Sequence, residues 1–217
     1  MNPVYYVGWL LFRLWYATYF RWRVYHAERV PLKGPVILAS NHASFLDPPI
    51  IGAGVRRGIN YLARESLFRW PVCGWILRHW NSVPVDRDGG GAKGLKAILD
   101  RLLSGGAIIL FPEGTRTLDG TLGKAKSGIG LTVIKSEATV VPVRVWGTLK
   151  AYGKRVPIPL PYRLTVKYGK PMDFRALRAE AKVCSKARLK DIYQEAADRI
   201  MVEIARLEPC ADKEVFP

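Results

Sequence analysis

The segment Val36-Ile37-Leu38-Ala39-Ser40-Asn41-His42-Ala43-Ser44-Phe45-Leu46-Asp47-Pro48-Pro49 decides how the chain is read. Val36–Ala39 follows a proline and is apolar throughout, as a strand buried on both faces is. The polar residues after it mark a turn. Asp47, placed before two prolines, suits an N-cap with proline at the first helical position, which predicts a helix over Pro48–Val55. His42 and Asp47 thus flank a strand-to-helix turn. On one continuous helix a five-residue separation would set them about 140° apart, whereas a turn can fold the carboxylate back onto the imidazole. A carboxylate that accepts the Nδ1–H leaves Nε2 free to take a proton from a hydroxyl. A capping aspartate beside a loop histidine would show the same spacing, so this segment alone leaves both readings open.

Working outward, Ile59–Ala63, Ser82–Val85, Ala107–Phe111, Thr139–Trp146 and Arg163–Tyr168 read as further strands. Leu67–Trp80, Lys93–Leu103 and Ser127–Ser136 read as helices between them. This βαβα alternation predicts an α/β fold with a mostly parallel sheet. The last helix is the plainest. Leu189, Ile192, Tyr193, Ala196, Ala197, Ile200, Met201 and Ile204 form an apolar stripe, and Lys190, Asp191, Glu195, Asp198 and Arg199 fill the other face. Lys154–Pro161, with three prolines, reads as a loop.

A second block, Phe111-Pro112-Glu113-Gly114-Thr115-Arg116, follows the strand Ala107–Leu110 at its C-terminal end, where open α/β sheets bind ligands. Gly114 permits close backbone approach. Arg116 offers a planar fork suited to phosphate, and Glu113 suits either orienting that fork or binding a hydroxyl. Arg64 and Arg87 fall near the ends of two other strands, with Arg87 a candidate second phosphate contact. Gly89-Gly90-Gly91-Ala92-Lys93-Gly94 fits a G-x-G-x-x-G pattern. Its dinucleotide reading fails because the downstream acid, Glu113, belongs to another motif.

The chain has 217 residues, with 49% hydrophobic and 24% charged, enough for one folded domain and incompatible with wholesale disorder. The net charge of +16 calls for an anionic partner: nucleic acid, an acidic membrane surface or a phosphorylated substrate. The cations are scattered arginines among apolar residues rather than a lysine-rich tail, which disfavours nucleic acid. Three cysteines without a C-x-x-C pair and three histidines make a disulfide framework or a metal site improbable, and fit a reducing compartment.

The run Val4–Phe20 is apolar and aromatic with one interruption, Arg13, and Arg21, Trp22, Arg23, Tyr25 and His26 follow it. As a helix it reaches about 25 Å, short of a hydrocarbon core about 30 Å thick. Arg13 would lie near mid-bilayer at a cost of roughly 2.5–3.5 kcal/mol. Tryptophan, tyrosine and arginine together suit the headgroup boundary, so an interfacial helix is expected. A span and a helix packed on its own domain remain the alternatives. Residues 1–29 are accordingly read as a membrane-associating helical segment and residues 30–217 as the main domain.

Taken together these blocks resemble the glycerolipid acyltransferases, specifically the lysophosphatidic acid (1-acyl-glycerol-3-phosphate) acyltransferase family. Asn41–Asp47 resembles its N-H-x-x-x-x-D block, Val83–Arg87 the end of its second block, and Phe111–Arg116 its F-P-E-G-T-R block. Lys126-Ser127-Gly128 resembles its K-x-G element and Val140-Val141-Pro142-Val143 its V-P-V block. The blocks occur in the family's order, and the resemblance covers most of residues 30–170. Arg64 departs from it, standing where many members carry lysine. The resemblance implies a central, mostly parallel mixed sheet flanked by helices, with a membrane-docking N-terminal helix. It implies acyl transfer from acyl-CoA or acyl-ACP to the hydroxyl of lysophosphatidic acid, with no cofactor, at the cytoplasmic face of an anionic membrane. His42 would be the general base held by Asp47. Glu113, Gly114, Thr115 and Arg116, with Arg87, Arg64 and Lys126, would form the substrate site. A relative acting on glycerol-3-phosphate, a lysophospholipid or a lyso-ornithine lipid would show the same blocks. A non-enzymatic basic membrane- or nucleic-acid-binding protein has no need of an oriented base.

Overall fold

The computed structural model describes residues 2–85 and 92–209. Helix α1 (Pro3–Thr18) leads into strand β1 (Arg23–Tyr25) and then β2 (Val36–Ser40). There follow α2 (Asp47–Ala53), β3 (Ile59–Arg64), α3 (Pro71–His79), β4 (Ser82–Val85), α4 (Ala92–Leu103) and β5 (Ala107–Leu110). The chain continues through α5 (Ser127–Ser136), β6 (Thr139–Trp146), α6 (Thr148–Tyr152), β7 (Thr165–Tyr168), α7 (Arg175–Ala181) and α8 (Lys186–Arg206).

The described strands form one sheet in the order β1-β7-β6-β2-β5-β3-β4. Every pairing is parallel except β6 with β7. The fold is therefore α/β with a mostly parallel mixed sheet. Strand β2 lies at its centre, with Ala39 opposite Leu110 of β5 on one side and Pro142 of β6 on the other. Its alternate residues feed two cores. Val36 and Leu38 pack with Tyr16, Phe20, Leu46, Ile50 and Tyr168 under α1 and α2. Ile37 and Ala39 pack with Leu102, Ile129, Val133, Ile192 and Ile200 under α4, α5 and α8. Burial on both faces is why these strands carry no apolar–polar alternation.

The differences from sequence reading have local causes. The helix expected over Leu67–Trp80 is a 3-10 turn, Glu65–Arg69, followed by α3. Pro71 cannot continue a helix but is suited to starting one, and Trp70 before it is extended (φ −77°, ψ 123°). Strand β1 has three residues and finds its partner, β7, across most of the chain, so no local periodicity announces it. Helices α6 and α7, of five and seven residues, are too short to show a stripe. Arg87 and Gly89, Gly90 and Gly91 of the glycine-rich run lie outside the described residues.

The N-terminal aromatic run forms a helix with two faces. Tyr5, Trp9 and Arg13 are bonded to the domain: Ile59 N–H donates to Tyr5 Oη (3.0 Å), Trp9 Nε1–H to Val55 O (3.0 Å) and Arg13 to Ala53 O (2.7 Å). Arg13 also lies over the Trp9 ring. Tyr6, Val7, Leu10, Leu11 and Leu14 on the opposite face are at least half exposed. Among the described residues no helix is long and apolar enough to cross a membrane.

Candidate active site

Because β2 and β5 are adjacent and parallel, the loops leaving their C-terminal ends meet. That places Asn41–Asp47 against Phe111–Arg116. Asn41 continues the sheet beyond β2 with its side chain: Oδ1 accepts from Val145 N–H (2.9 Å) and Nδ2 donates to Val145 O (3.2 Å). The backbone is thus fixed immediately before His42.

His42 Nδ1 lies 2.8 Å from Asp47 Oδ2. That same oxygen accepts the backbone N–H groups of Ala43 (2.6 Å) and Ser44 (2.7 Å). Asp47 is fully buried, so this oxygen is satisfied by three donors rather than by water. The expected N-cap role is corrected here. Leu46 is the cap residue, without a side-chain cap bond, and Asp47 is the first residue of α2. Its carboxylate turns back onto the loop instead of forward onto the helix. A carboxylate can only accept, so Nδ1 carries a proton and Nε2 is the ring's acceptor. The imidazole is stacked on Phe111, with centroids 3.8 Å apart and planes 14° apart. The His42 side chain retains 16% exposure, whereas Asp47 behind it has none.

Glu113 is buried and spends both oxygens on backbone. Oε1 accepts from His42 N–H (3.1 Å) and Oε2 from Gly123 N–H (3.0 Å). The return bond, Thr117 N–H to His42 O (2.8 Å), closes the link between the two loops. Gly114 has φ +70°, a conformation that side chains rarely adopt. A β-carbon added there would stand 3.2 Å from Lys126 Nζ, so Lys126 lies against the loop. The Arg116 guanidinium carbon sits 3.5 Å from the centroid of the Phe45 ring. Thr115 is exposed beside it. Arg64 is exposed at the C-terminal end of β3, on the same edge of the sheet.

The geometry thus gathers His42, Asp47, Glu113, Gly114, Arg116 and Lys126 around the ends of β2 and β5. Phe111 and Phe45 join them as the surfaces against which His42 and Arg116 rest. Both aromatics lie inside the quoted blocks, but a ring contact between two loops leaves no trace in spacing. Among the described residues no cluster of histidine, cysteine or carboxylate groups is arranged to hold a metal ion.

A family-wide sequence pattern described as Acyltransferase matches residues 21–146. The chloroplastic 1-acyl-sn-glycerol-3-phosphate acyltransferase LPAT1 of Arabidopsis thaliana is 32% identical over 118 residues, 54% of this chain and 33% of that protein. The 1-acyl-sn-glycerol-3-phosphate acyltransferase of Bacillus subtilis is 29% identical over 126 residues, 58% of this chain and 62% of that protein. A lyso-ornithine lipid O-acyltransferase of Pseudomonas aeruginosa is 26% identical over 138 residues, 63% of this chain and 52% of that protein. These alignments span less than two thirds of each relative. The crystal structure of the 1-acyl-sn-glycerophosphate (LPA) acyltransferase PlsC from Thermotoga maritima superposes with a TM-score of 0.68 at 25% identity, covering 95% of this chain and 80% of that one.

Proposed function

This chain belongs to the acyltransferase family, and we propose that it moves a fatty acyl group from acyl-CoA or acyl-ACP to the sn-2 hydroxyl of 1-acyl-glycerol-3-phosphate, forming phosphatidic acid. The observation that carries the reading is the 2.8 Å contact of His42 Nδ1 with a buried Asp47 that also holds two loop amides. Nε2 of His42 accepts the proton of the acceptor hydroxyl as its oxygen attacks the thioester carbonyl carbon. The tetrahedral adduct collapses, the carbon–sulfur bond breaks, and the thiolate leaves with the proton that His42 returns. Asp47 holds the tautomer and stabilises the transient imidazolium. No side-chain nucleophile takes part.

Arg116 and Lys126 are the cations for the acceptor phosphate, together with Arg64 from the end of β3 and Arg87, which follows Val85 in the sequence. Gly114 and Thr115 let the phosphate approach the backbone between them. Glu113 serves the site by tying the base loop to the phosphate loop. Within residues 1–29, the outer face of α1 docks the protein on the cytoplasmic face of an anionic membrane, while the inner face and β1 pack into the domain that residues 30–217 complete. The exposed apolar side of α1 and a charge of +16 support that placement.

The acceptor is tested with a panel of lysophosphatidic acid, glycerol-3-phosphate, a lysophospholipid and a lyso-ornithine lipid, each with labelled acyl-CoA and acyl-ACP. Preference for lysophosphatidic acid is expected. Preference for the lyso-ornithine lipid would move the assignment to the reaction named for the Pseudomonas relative.

A further inference from the structure

Two buried polar atoms in the same core have no hydrogen-bond partner: the hydroxyl of Tyr16 and Oδ1 of Asp47, the oxygen that the loop amides and His42 leave unused. Both residues are fully buried. Such atoms are rare in native proteins, and each calls for an explanation. Here one is a donor and the other an acceptor.

The helix register brings them together. Trp9 bonds to Val55 O just beyond α2, and Arg13 to Ala53 O at its last residue. Helix α1 therefore runs back along α2 toward its first turn. Tyr16 is the next residue on that face of α1, three positions after Arg13. Asp47 opens the first turn of α2, flanked by Leu46 and Ile50, which share a cluster with Tyr16. Burial, and then the Asp47 carboxylate, raise the Tyr16 phenol well above its ordinary value of 10.0. The hydroxyl stays protonated and able to donate.

We infer that Tyr16 is a positioning residue for the proton-transfer pair: its hydroxyl donates through one bridging water to Oδ1 of Asp47 and so fixes the carboxylate that orients His42. The inference rests on the reading of His42 as the base. It assigns α1 a second task. One face is free to meet lipid, while the other completes the support of the dyad, so displacement of the helix would disturb the base as well as the docking.

The test is Tyr16→Phe in the full chain, assayed with lysophosphatidic acid in mixed micelles. Loss of one hydrogen bond to a charged group should lower kcat by about tenfold or more. The acceptor KM and the melting temperature should stay near their original values, a split that loss of packing would not give. Tyr16→Leu should also melt early, because it removes the ring. A Tyr16→Phe enzyme with undiminished kcat beside an early-melting Tyr16→Leu would make Tyr16 a packing residue and overturn the proposal. If Tyr16→Phe does not fold, 3-fluorotyrosine introduced at position 16 keeps the ring and strengthens its donation. A change in kcat at constant KM is then expected, and no change overturns the proposal. His42→Ala separates the two levels. Turnover retained there sinks the base itself, whereas an inactive His42→Ala beside a fully active Tyr16→Phe sinks only the role of Tyr16.

Discussion

Glu113 and His42 are joined through backbone: Oε1 of the glutamate accepts the histidine's main-chain N–H at 3.1 Å, while Oε2 holds Gly123. The acid of the second block therefore supports the base of the first. Glu113→Ala leaves the N–H groups of half-buried His42 and exposed Gly123 without this acceptor, at about 1 kcal/mol for each lost bond. The melting temperature and kcat should both fall, with the acceptor KM changing less than kcat. A variant that keeps kcat and its melting temperature but loses acceptor affinity would make Glu113 a substrate contact instead.

Asp47 lends itself to a two-variant test. Asp47→Asn keeps one acceptor oxygen for Ala43 and Ser44 but loses the charge that stabilises imidazolium. It should fold, with kcat down by roughly 10²–10⁴, the range for lost general-base function. Asp47→Ala removes the acceptor too and should destabilise the protein by about 1–3 kcal/mol per stranded amide. Thermal melts beside turnover measurements distinguish the two. Equal stability of both variants would mean that the loop does not depend on the carboxylate.

Much of this was legible before the structure, for physical reasons. Strands such as Val36–Ala39 and Thr139–Trp146 are buried on both sides, so the apolar run marks them directly. The blocks sit where parallel strands end, so their meeting follows from topology. The unread features are contacts between distant residues whose types are ordinary. Tyr16 is one aromatic among many in the first twenty residues, and only the packing of α1 on α2 sets it near Asp47. Nor does anything in the Phe45 or Phe111 codes say which cation or ring each will face. The capping assignment of Asp47 missed by one position because a carboxylate before two prolines can turn either way.

Arg116 rests on the Phe45 ring at 3.5 Å, and Lys126 lies against Gly114. Arg116→Ala should lower kcat/KM for lysophosphatidic acid by very roughly 10–150-fold, as loss of a charge-assisted contact. The loss should be far smaller with a monoacylglycerol lacking phosphate. Phe45→Leu should repeat that selectivity more weakly, by about 2–5-fold, through the lost cation–π platform. Equal losses on both acceptors would remove Arg116 from phosphate binding.

Asp119 anchors the turn after this block, accepting from the Thr121 hydroxyl (2.7 Å), the Thr121 amide (3.0 Å) and the Thr117 hydroxyl (2.8 Å). These donors, Thr121 first, hold its carboxyl down at about 2 against an ordinary 3.8. A depressed folded-state value means the turn's contribution is complete above about pH 4 and is lost as pH falls through about 2. A carbon-13 titration of the Asp119 carboxyl should therefore have its midpoint near 2. A midpoint near 3.8 would show that the three bonds do not persist in solution.

The membrane prediction follows from the two faces of α1. Tyr16 and Phe20 are fully buried and β1 pairs with β7, so truncating the N-terminus would open the core as well as remove the docking face. Substitution on the exposed side avoids this. Leu10, Leu11 and Leu14 are 51%, 60% and 60% exposed, so Leu10→Ser, Leu11→Ser and Leu14→Ser together should leave the melting temperature nearly unchanged. A fully buried leucine is worth about 1.5–3 kcal/mol relative to an exposed one, and shallow insertion captures part of that. Three lost side chains should then weaken partition onto anionic vesicles by at least about tenfold. Added salt should weaken the unsubstituted protein only partly, because apolar insertion is not screened, and should release the triple variant almost completely, since only its cations still hold it. Sedimentation of both proteins with anionic vesicles across a salt series measures this. If the triple variant binds as tightly as the parent at every salt concentration, α1 is not the docking face, and its exposed leucines serve some other contact.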